Sequence, residues 1–455
     1  MTTHMILSLT PRGVPVSKEL LGIKVIETIK QELTVSPHGN LNVMQPPKYP
    51  IYLESKSKLY IPKSYALQKF GVPFQDIRYK GIDIDLNFTG ALRPEQDSPV
   101  NAIMDACVDP LRMGGILNVF CGGGKTTMAL YCIAKLRKKT IIVVHKEFLL
   151  TQWKERIEQF LPDAKIGYIK GKILDIENKD IVIASLQSLS MKEYDSKIFN
   201  DFGTLIIDEV HHTSAEVFNR ALFKTSMMYT IGLSATVKRK DGLSKVFMWH
   251  LGDIVYRSEA REDTVNVDAI MFNDTMDPEY SGEEFIGMSS KMNFSKMINK
   301  LCAYGPRTLK IVDVLVNIPP GRKVLVLSDR VLHLKELMYH VLESKQKTCG
   351  LYVGGMRAKA LKECEDKDII FATFAIASEG YDQKNLDTLL LASPKTDIVQ
   401  SVGRILRDKE CDRINIPKVI DIIDNFSVFE KMWFKRKAYF KKCNYTISTS
   451  HENII

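Results

Sequence analysis

Six consecutive residues, Gly122-Gly123-Gly124-Lys125-Thr126-Thr127, place three side-chain-free backbone units before a cation and two hydroxyls. Glycines let backbone N–H groups curl around phosphate oxygens, a lysine neutralises the β and γ phosphates, and the hydroxyl of Thr126 suits Mg²⁺. In the pattern G-x-x-x-x-G-K-[ST] the first glycine position is Val119. A second group, Asp208-Glu209, directly follows Leu205-Ile206-Ile207. Unpaired charge at the end of an apolar run is costly, so such a pair implies a task. Asp208 would hold Mg²⁺, and Glu209 would orient or deprotonate an attacking water. His211 and His212 follow, but adjacent side chains point apart and no cysteine accompanies them, so a zinc site is not expected. This is the chemistry of nucleotide hydrolysis, with ATP and Mg²⁺ as the expected pair.

Such residues work only at the ends of rigid elements. Apolar runs of buried-strand length occur at 116–120, 140–144, 180–184, 204–207 and 230–233, with helical patterns between them, as at 128–136, 147–160 and 215–223. A second set lies at 323–327, 348–353, 368–372, 386–392 and 418–423. Continuously apolar strands alternating with helices imply parallel sheets covered on both faces. The expected fold is α/β, with two domains in tandem over 91–257 and 306–455. Residues 1–90, rich in Pro, Tyr and Lys, are expected to form a small N-terminal α+β accessory domain, able to bind nucleic acid. Residues 258–284 hold nine acidic residues and one basic; the segment 258–305 therefore reads as an acidic linker or insertion.

The motifs and their order resemble the superfamily 2 DExH helicases. Asp208-Glu209-Val210-His211 resembles the DExH box, and Leu92 to Gln96 (LRPEQ) the entry motif whose glutamine reads adenine. Val143 to Trp153 (VVHKEFLLTQW) resembles motif Ia, Ser185 to Leu189 (SLQSL) the next nucleic-acid motif, and Gly232 to Thr236 (GLSAT) motif III. In the second domain Val324 to Arg330 (VLVLSDR), Thr373 to Asp382 (TFAIASEGYD) and Gln400 to Arg407 (QSVGRILR) resemble motifs IV, V and VI. CGGGKT, GLSATVKRKDG and QSVGRILR are most similar to the branch of XPB-type repair helicases, phage UvsW-type recombination helicases and large DNA virus helicases, including the poxvirus transcript-release type. Arg239-Lys240-Asp241 stands where the XPB type has Arg-Glu-Asp.

The resemblance implies two RecA-like domains with ATP bound between them. Gln96, Gly122, Gly123, Gly124, Lys125, Thr126, Thr127, Asp208, Gly380 and Asp382 would bind nucleotide. Lys125, Asp208, Glu209, Gln400, Arg404 and Arg407 would serve catalysis, the arginines stabilising charge on the γ-phosphate. His211, Ser234 and Thr236 would couple hydrolysis to movement. His145, Lys146, Gln187 and Thr373 would touch phosphates without reading bases. The implied activity is ATP-driven translocation on DNA, as single strand, duplex, branch or RNA–DNA hybrid, beside transcription or repair proteins. Protein or transcript displacement without strand separation, and a non-catalytic docking subunit, are the alternatives.

Composition is compatible with this and narrows the rest. Hydrophobic residues make up 45% and charged residues 26% of the 455, which excludes a disordered chain. No run reaches the ~18 apolar residues of a membrane span, and the eight scattered cysteines frame neither disulfides nor zinc. A soluble, intracellular, monomeric protein of cytoplasm, nucleus, viral factory or virion is expected. The net charge of +9 is uneven: +4 in residues 1–90, −1 in 91–305 and +6 in 306–455. The segment 429–442 (FEKMWFKRKAYFKK) carries six basic residues and one acid, with Phe429, Trp433 and Phe440 on one helical face. Those three, like Trp153 and Trp249, read as core. Lys435, Arg436 and Lys437 read as a nucleic-acid contact, on a track that avoids 258–284.

Overall fold

A computed structural model describes residues 8–37, 47–71, 75–120, 122–211, 215–236, 239, 241–259, 263–287, 290, 292–356, 358–364, 366–379, 383, 385–407 and 413–453. The chain divides into two compact units at Glu259 and Ala260. No helix among the described residues is long and apolar enough to cross a membrane.

The first unit is built on an eight-stranded sheet. In chain order the strands are β1 (Gly114–Asn118), β2 (Thr140–Val144), β3 (Ile166–Lys170), β4 (Ile173–Asp175), β5 (Ile181–Ser185), β6 (Thr204–Ile207), β7 (Tyr229–Ser234) and β8 (Ile254–Arg257). They lie side by side as β4-β3-β5-β2-β6-β7-β1-β8. All neighbours are parallel except β3 and β4. Helices α1 (Pro94–Val108), α2 (Lys125–Leu136), α3 (Glu147–Phe160), α4 (Leu186–Met191), α5 (Ala215–Leu222) and α6 (Ser244–Leu251) connect them. The apolar runs are continuous because both faces are covered. Leu117, Ile142, Ile183, Ile206 and Ile231 enter one core, while Ile116, Ile141, Val182, Leu205 and Ile207 enter the other. Each such side chain contributes about 1.5–3 kcal/mol by leaving water.

Parallel register sets the site. Asn118 pairs with Ser234, Ile207 with Val143, and Val144 with Ser185. The loops after β1, β2, β5, β6 and β7 therefore leave from one edge, the carboxyl edge where α/β sheets bind ligands.

The N-terminal residues are knitted to this unit. Lys18–Glu32 forms a helix, and Val14–Ser17, Lys58–Ile61 and Leu53–Glu54 a small antiparallel sheet. Their core of Val14, Val16, Ile29, Leu59 and Ile61 is completed by Leu243 and Val246 of the α6 region, and Tyr65 meets the ring of Trp249 edge-on at 5.8 Å. The Lys63 ammonium donates to the Arg112 carbonyl at 2.5 Å, and Arg78 to that of Met227. The leading segment therefore shares one core with the residues around α6.

The second unit holds a seven-stranded sheet, all parallel: β9 (Asn266–Asn273), β10 (Val324–Ser328), β11 (Cys349–Tyr352), β12 (Ile369–Thr373), β13 (Thr388–Leu391), β14 (Lys418–Asp424) and β15 (Thr446–Asn453), in the order β11-β12-β10-β13-β14-β9-β15. Its helices include α7 (Gly305–Val316), α8 (Val331–Glu343), α9 (Phe374–Glu379), α10 (Val399–Val402) and α11 (Ser427–Lys442).

Two expectations are corrected here. The acidic segment read as a linker or insertion contains β9, an inner strand paired along its length with β14 and β15. Val265, Val267, Ala269 and Met271 alternate into the core, and three of the acids beside them are partnered. Asp268 meets Lys418 at 2.8 Å, Asp263 meets Arg413 at 2.7 Å, and Asp277 caps a turn by accepting from Glu279 N–H. Arg436, expected on a nucleic-acid surface, is 2% exposed. Its Nε donates to Asp421 at 2.7 Å and its Nη1 to the Lys395 carbonyl at 2.8 Å. A buried carboxylate on β14 claims it. Lys435 is exposed, and Lys437 is half-buried with Nζ 5.8 Å from the Trp433 ring. Phe429, Trp433 and Phe440 are buried as expected.

Candidate nucleotide site

The loop after β1 turns through left-handed conformations at Gly122 (φ 84°) and Gly124 (φ 81°). A side chain at Gly123 would strike Val119 Cγ1 at 2.5 Å, and one at Gly124 would strike the Gln96 amide at 2.0 Å. Only glycines permit this cradle. Gly124 then caps α2, whose first residues are Lys125, Thr126 and Thr127. Gln96 is buried at 2% exposure; its Oε1 accepts from Arg93 N–H at 2.9 Å and its Nε2 donates to the Gly123 carbonyl at 3.1 Å. The expected adenine reader therefore also braces the phosphate loop from the start of α1.

Lys125 Nζ donates to the Val119 carbonyl at 3.3 Å and stands 3.8 Å from Glu209 Oε1. Glu209 follows β6 with a left-handed backbone, φ 49°, which turns its carboxylate to that lysine. On its other side Glu209 Oε2 lies 3.4 Å from His211 Nδ1, which is 2.8 Å from Ser234 Oγ at the end of β7. The Ser234 hydroxyl donates its single proton to the Thr236 carbonyl at 2.6 Å, so His211 Nδ1 must carry the proton of the His211–Ser234 bond. Arg239, clasped by Asp241 through two bonds of 2.9 and 2.5 Å, donates to the His211 carbonyl at 3.3 Å. The residues expected to couple hydrolysis to movement thus form one chain from Glu209 to Thr236, with Arg239 fastened to its middle.

Asp208 lies beside Glu209. Its backbone N–H donates to the Val143 carbonyl at 3.0 Å and its Oδ2 accepts from Trp153 Nε1 at 2.9 Å. Burial, reinforced by the Glu209 charge, pushes its carboxyl up to about 6, against the pull of Trp153 and Lys125. The sequence reading placed Trp153 in the core, where it is, and missed this bond. The signal available was a buried indole, whose N–H needs an acceptor.

The donor set fits Mg²⁺. A threonine hydroxyl and one carboxylate are hard oxygen donors, and Mg²⁺ takes few protein ligands, completing its shell with phosphate and water. Thr126 and Asp208 would hold it, and the ion would supply charge neutralisation at the phosphates.

His145 and Lys146 follow β2 on the same edge, His145 half-buried and Lys146 exposed at the N-cap of α3; Gln187 is exposed on α4 after β5. In the second unit Thr373 ends β12, and Gln400 sits on α10. Arg404, 9% exposed, donates from Nε to the Ala377 carbonyl of α9 at 2.5 Å, while Arg407 is half-buried. Motif VI is thereby tied to motif V within that unit. Gly380 and Asp382 lie outside the described residues. A cavity of about 780 Å³ opens elsewhere in the first unit, lined by Arg12, Tyr60, Tyr194 and Phe223 among others, and contains none of the motif residues.

The family model described as type III restriction enzyme, res subunit, matches residues 89–239. The chain is 35% identical to "Putative ATP-dependent RNA helicase L396" of Acanthamoeba polyphaga mimivirus over 98% of its own length and 87% of that protein's. It is 28% identical to "Putative helicase 161L" of Invertebrate iridescent virus 6 over 84% of this chain and 88% of that one. Over 32% of the chain and 33% of the relative it is 36% identical to "DNA 3'-5' translocase XPB2" of Sulfurisphaera tokodaii. With the glycine cradle, the paired carboxylates and the His211–Ser234 link all in place, the chain belongs to the superfamily 2 DExH helicases, in the branch shared by XPB-type and large-virus helicases.

Proposed function

We propose that this protein is an ATP-dependent translocase on DNA that remodels duplexes or RNA–DNA hybrids. The observation that carries the reading is the row of neighbouring charged and polar groups Lys125, Glu209, His211 and Ser234 on the carboxyl edge of the first sheet. Lys125 and the glycine loop would bind the β and γ phosphates of ATP. Glu209 would orient the attacking water and take its proton, with the Lys125 cation beside it. His211 would report the state of Glu209 to the segment after β7. Arg407, with Arg404 and Gln400, would stabilise charge on the γ-phosphoryl group as it passes from ADP to water, a contribution of about 10³–10⁵ in rate for arginines so placed. His145, Lys146, Gln187 and Thr373 would grip phosphates, so binding would weaken with salt and tolerate any sequence.

ATP hydrolysis is expected to rise when DNA is added and to fall to background in Lys125→Ala and Glu209→Gln, each folding as the parent does. Equal rates with and without single strands, duplexes, forks, RNA and hybrids would overturn the reading. Strand displacement on the same substrates separates unwinding from translocation alone.

A further inference from the structure

We propose that Trp153 is a positioning residue for Asp208, tying the metal-binding carboxylate to the helix that begins at the nucleic-acid edge. The hydrogen bond is a fact of the fold; its consequence for hydrolysis rests on the function proposed above.

Trp153 is 1% exposed and packs in the core with Leu149, Leu150 and Ile157 on the buried face of α3. An indole offers one donor and no acceptor, and here it goes to Asp208 Oδ2 at 2.9 Å. The same segment holds Asp208 a second time, through the bond from its backbone N–H to the Val143 carbonyl on β2. Backbone and carboxylate are therefore both referred to the run from β2 into α3, which carries His145 and Lys146 between them. Lys146, the N-cap, and Trp153 lie seven residues apart, two turns and about 10 Å along the same helix. A helix of that length moves as a rod. A load on Lys146 shifts Trp153 and, through one bond, the orientation of the carboxylate. Partners of this kind behind a metal ligand typically change metal affinity or activity by about 10–100-fold when removed.

Trp153→Phe keeps an aromatic ring in the core but removes the pyrrole ring with its donor. We expect the concentration of Mg²⁺ at half-maximal ATP hydrolysis to rise about tenfold, with stimulation by DNA reduced, DNA affinity retained and the thermal midpoint lowered by the cavity that the smaller ring leaves. An unchanged Mg²⁺ requirement and unchanged stimulation would overturn the proposal. An independent arm needs no turnover. Asp208→Asn should alter tryptophan emission in the parent protein and leave it unaltered in the Trp153→Phe background, because the carboxylate facing the indole becomes a neutral amide. An equal change in both backgrounds, or none in the parent, would overturn the contact. If Trp153→Phe does not fold, the emission change is read in Trp249→Phe/Trp433→Phe, where Trp153 is the sole reporter and absence of a shift is the overturning result. A wild type without ATPase would sink the motor reading alone, since the emission arm still reports the bond.

Discussion

Glu209 occupies a backbone conformation that a side chain makes unfavourable, at a cost of about 1–3 kcal/mol, and does so where it meets both Lys125 and His211. Strain of this kind persists because function selects it. Glu209→Gly, which relieves both the conformation and the carboxylate's crowding of Asp208, is therefore expected to stabilise the first unit by about 1 kcal/mol while abolishing hydrolysis. Denaturant midpoints of parent and variant check this; a lower midpoint in the variant contradicts it. At this scale the sequence was informative wherever chemistry is contiguous. The glycine loop, Asp208-Glu209 and His211 could be read as text because their neighbours in space are mostly their neighbours in sequence. Trp153 and Asp208 are 55 positions apart, and nothing in either residue announces the other. Gln96 was read as a ligand contact, and its bond to Gly123 was invisible for the same reason.

Helix α11 shows how an element overrides its composition. Its basic run reads as one positive surface, yet Arg436 falls at spacings of seven, three and four from Phe429, Trp433 and Phe440 and faces inward with them. β14 carries two buried aspartates, each met by an arginine from a different helix: Asp421 by Arg436, and Asp424 by Arg307 of α7 through two bonds of 2.7 and 2.9 Å. Arg436→Ala would strand Asp421 in the core and is expected to cost about 3–5 kcal/mol, measured as a shift in the unfolding midpoint. Lys435→Glu with Lys437→Glu should leave that midpoint near the parent's. In this double variant a lower DNA affinity with a shallower salt dependence is expected; unchanged binding removes α11 from the track. Charge counting also hid β9. The excess of acid drew attention from Val265, Val267, Ala269 and Met271, whose alternation is the strand signal, while Asp263, Asp268 and Asp277 are spent on pairs and a cap.

At the scale of the whole molecule, each unit holds a neutral histidine packed against its core. His250 in the first contacts Asn219 at 2.9 Å, and His333 in the second contacts Ser328 at 3.1 Å. Burial holds both down to about 3. The unfolded chain then binds more protons than the native one between that value and about 6.5, so stability falls as pH drops through this window, by up to about 1.4 kcal/mol per pH unit for each histidine. His333→Gln should flatten the acid limb of the second unit between pH 6.5 and 5; a parallel limb would show that other groups set it. Tandem α/β organisation was legible because buried parallel strands are written as uninterrupted apolar runs. The attachment of the N-terminal segment was not, since it depends on Leu243 and Val246 far along the chain. The place of β9 between β14 and β15 also imposes an order on biosynthesis. The first unit has all its strands once residue 257 has emerged, whereas β9 must await partners that a ribosome adding about 5–20 residues per second delivers roughly 10–35 s later. During that interval the nascent second unit carries an unmated strand with both edges open, so its folding is expected to depend on chaperones and on the speed of translation between β9 and β14.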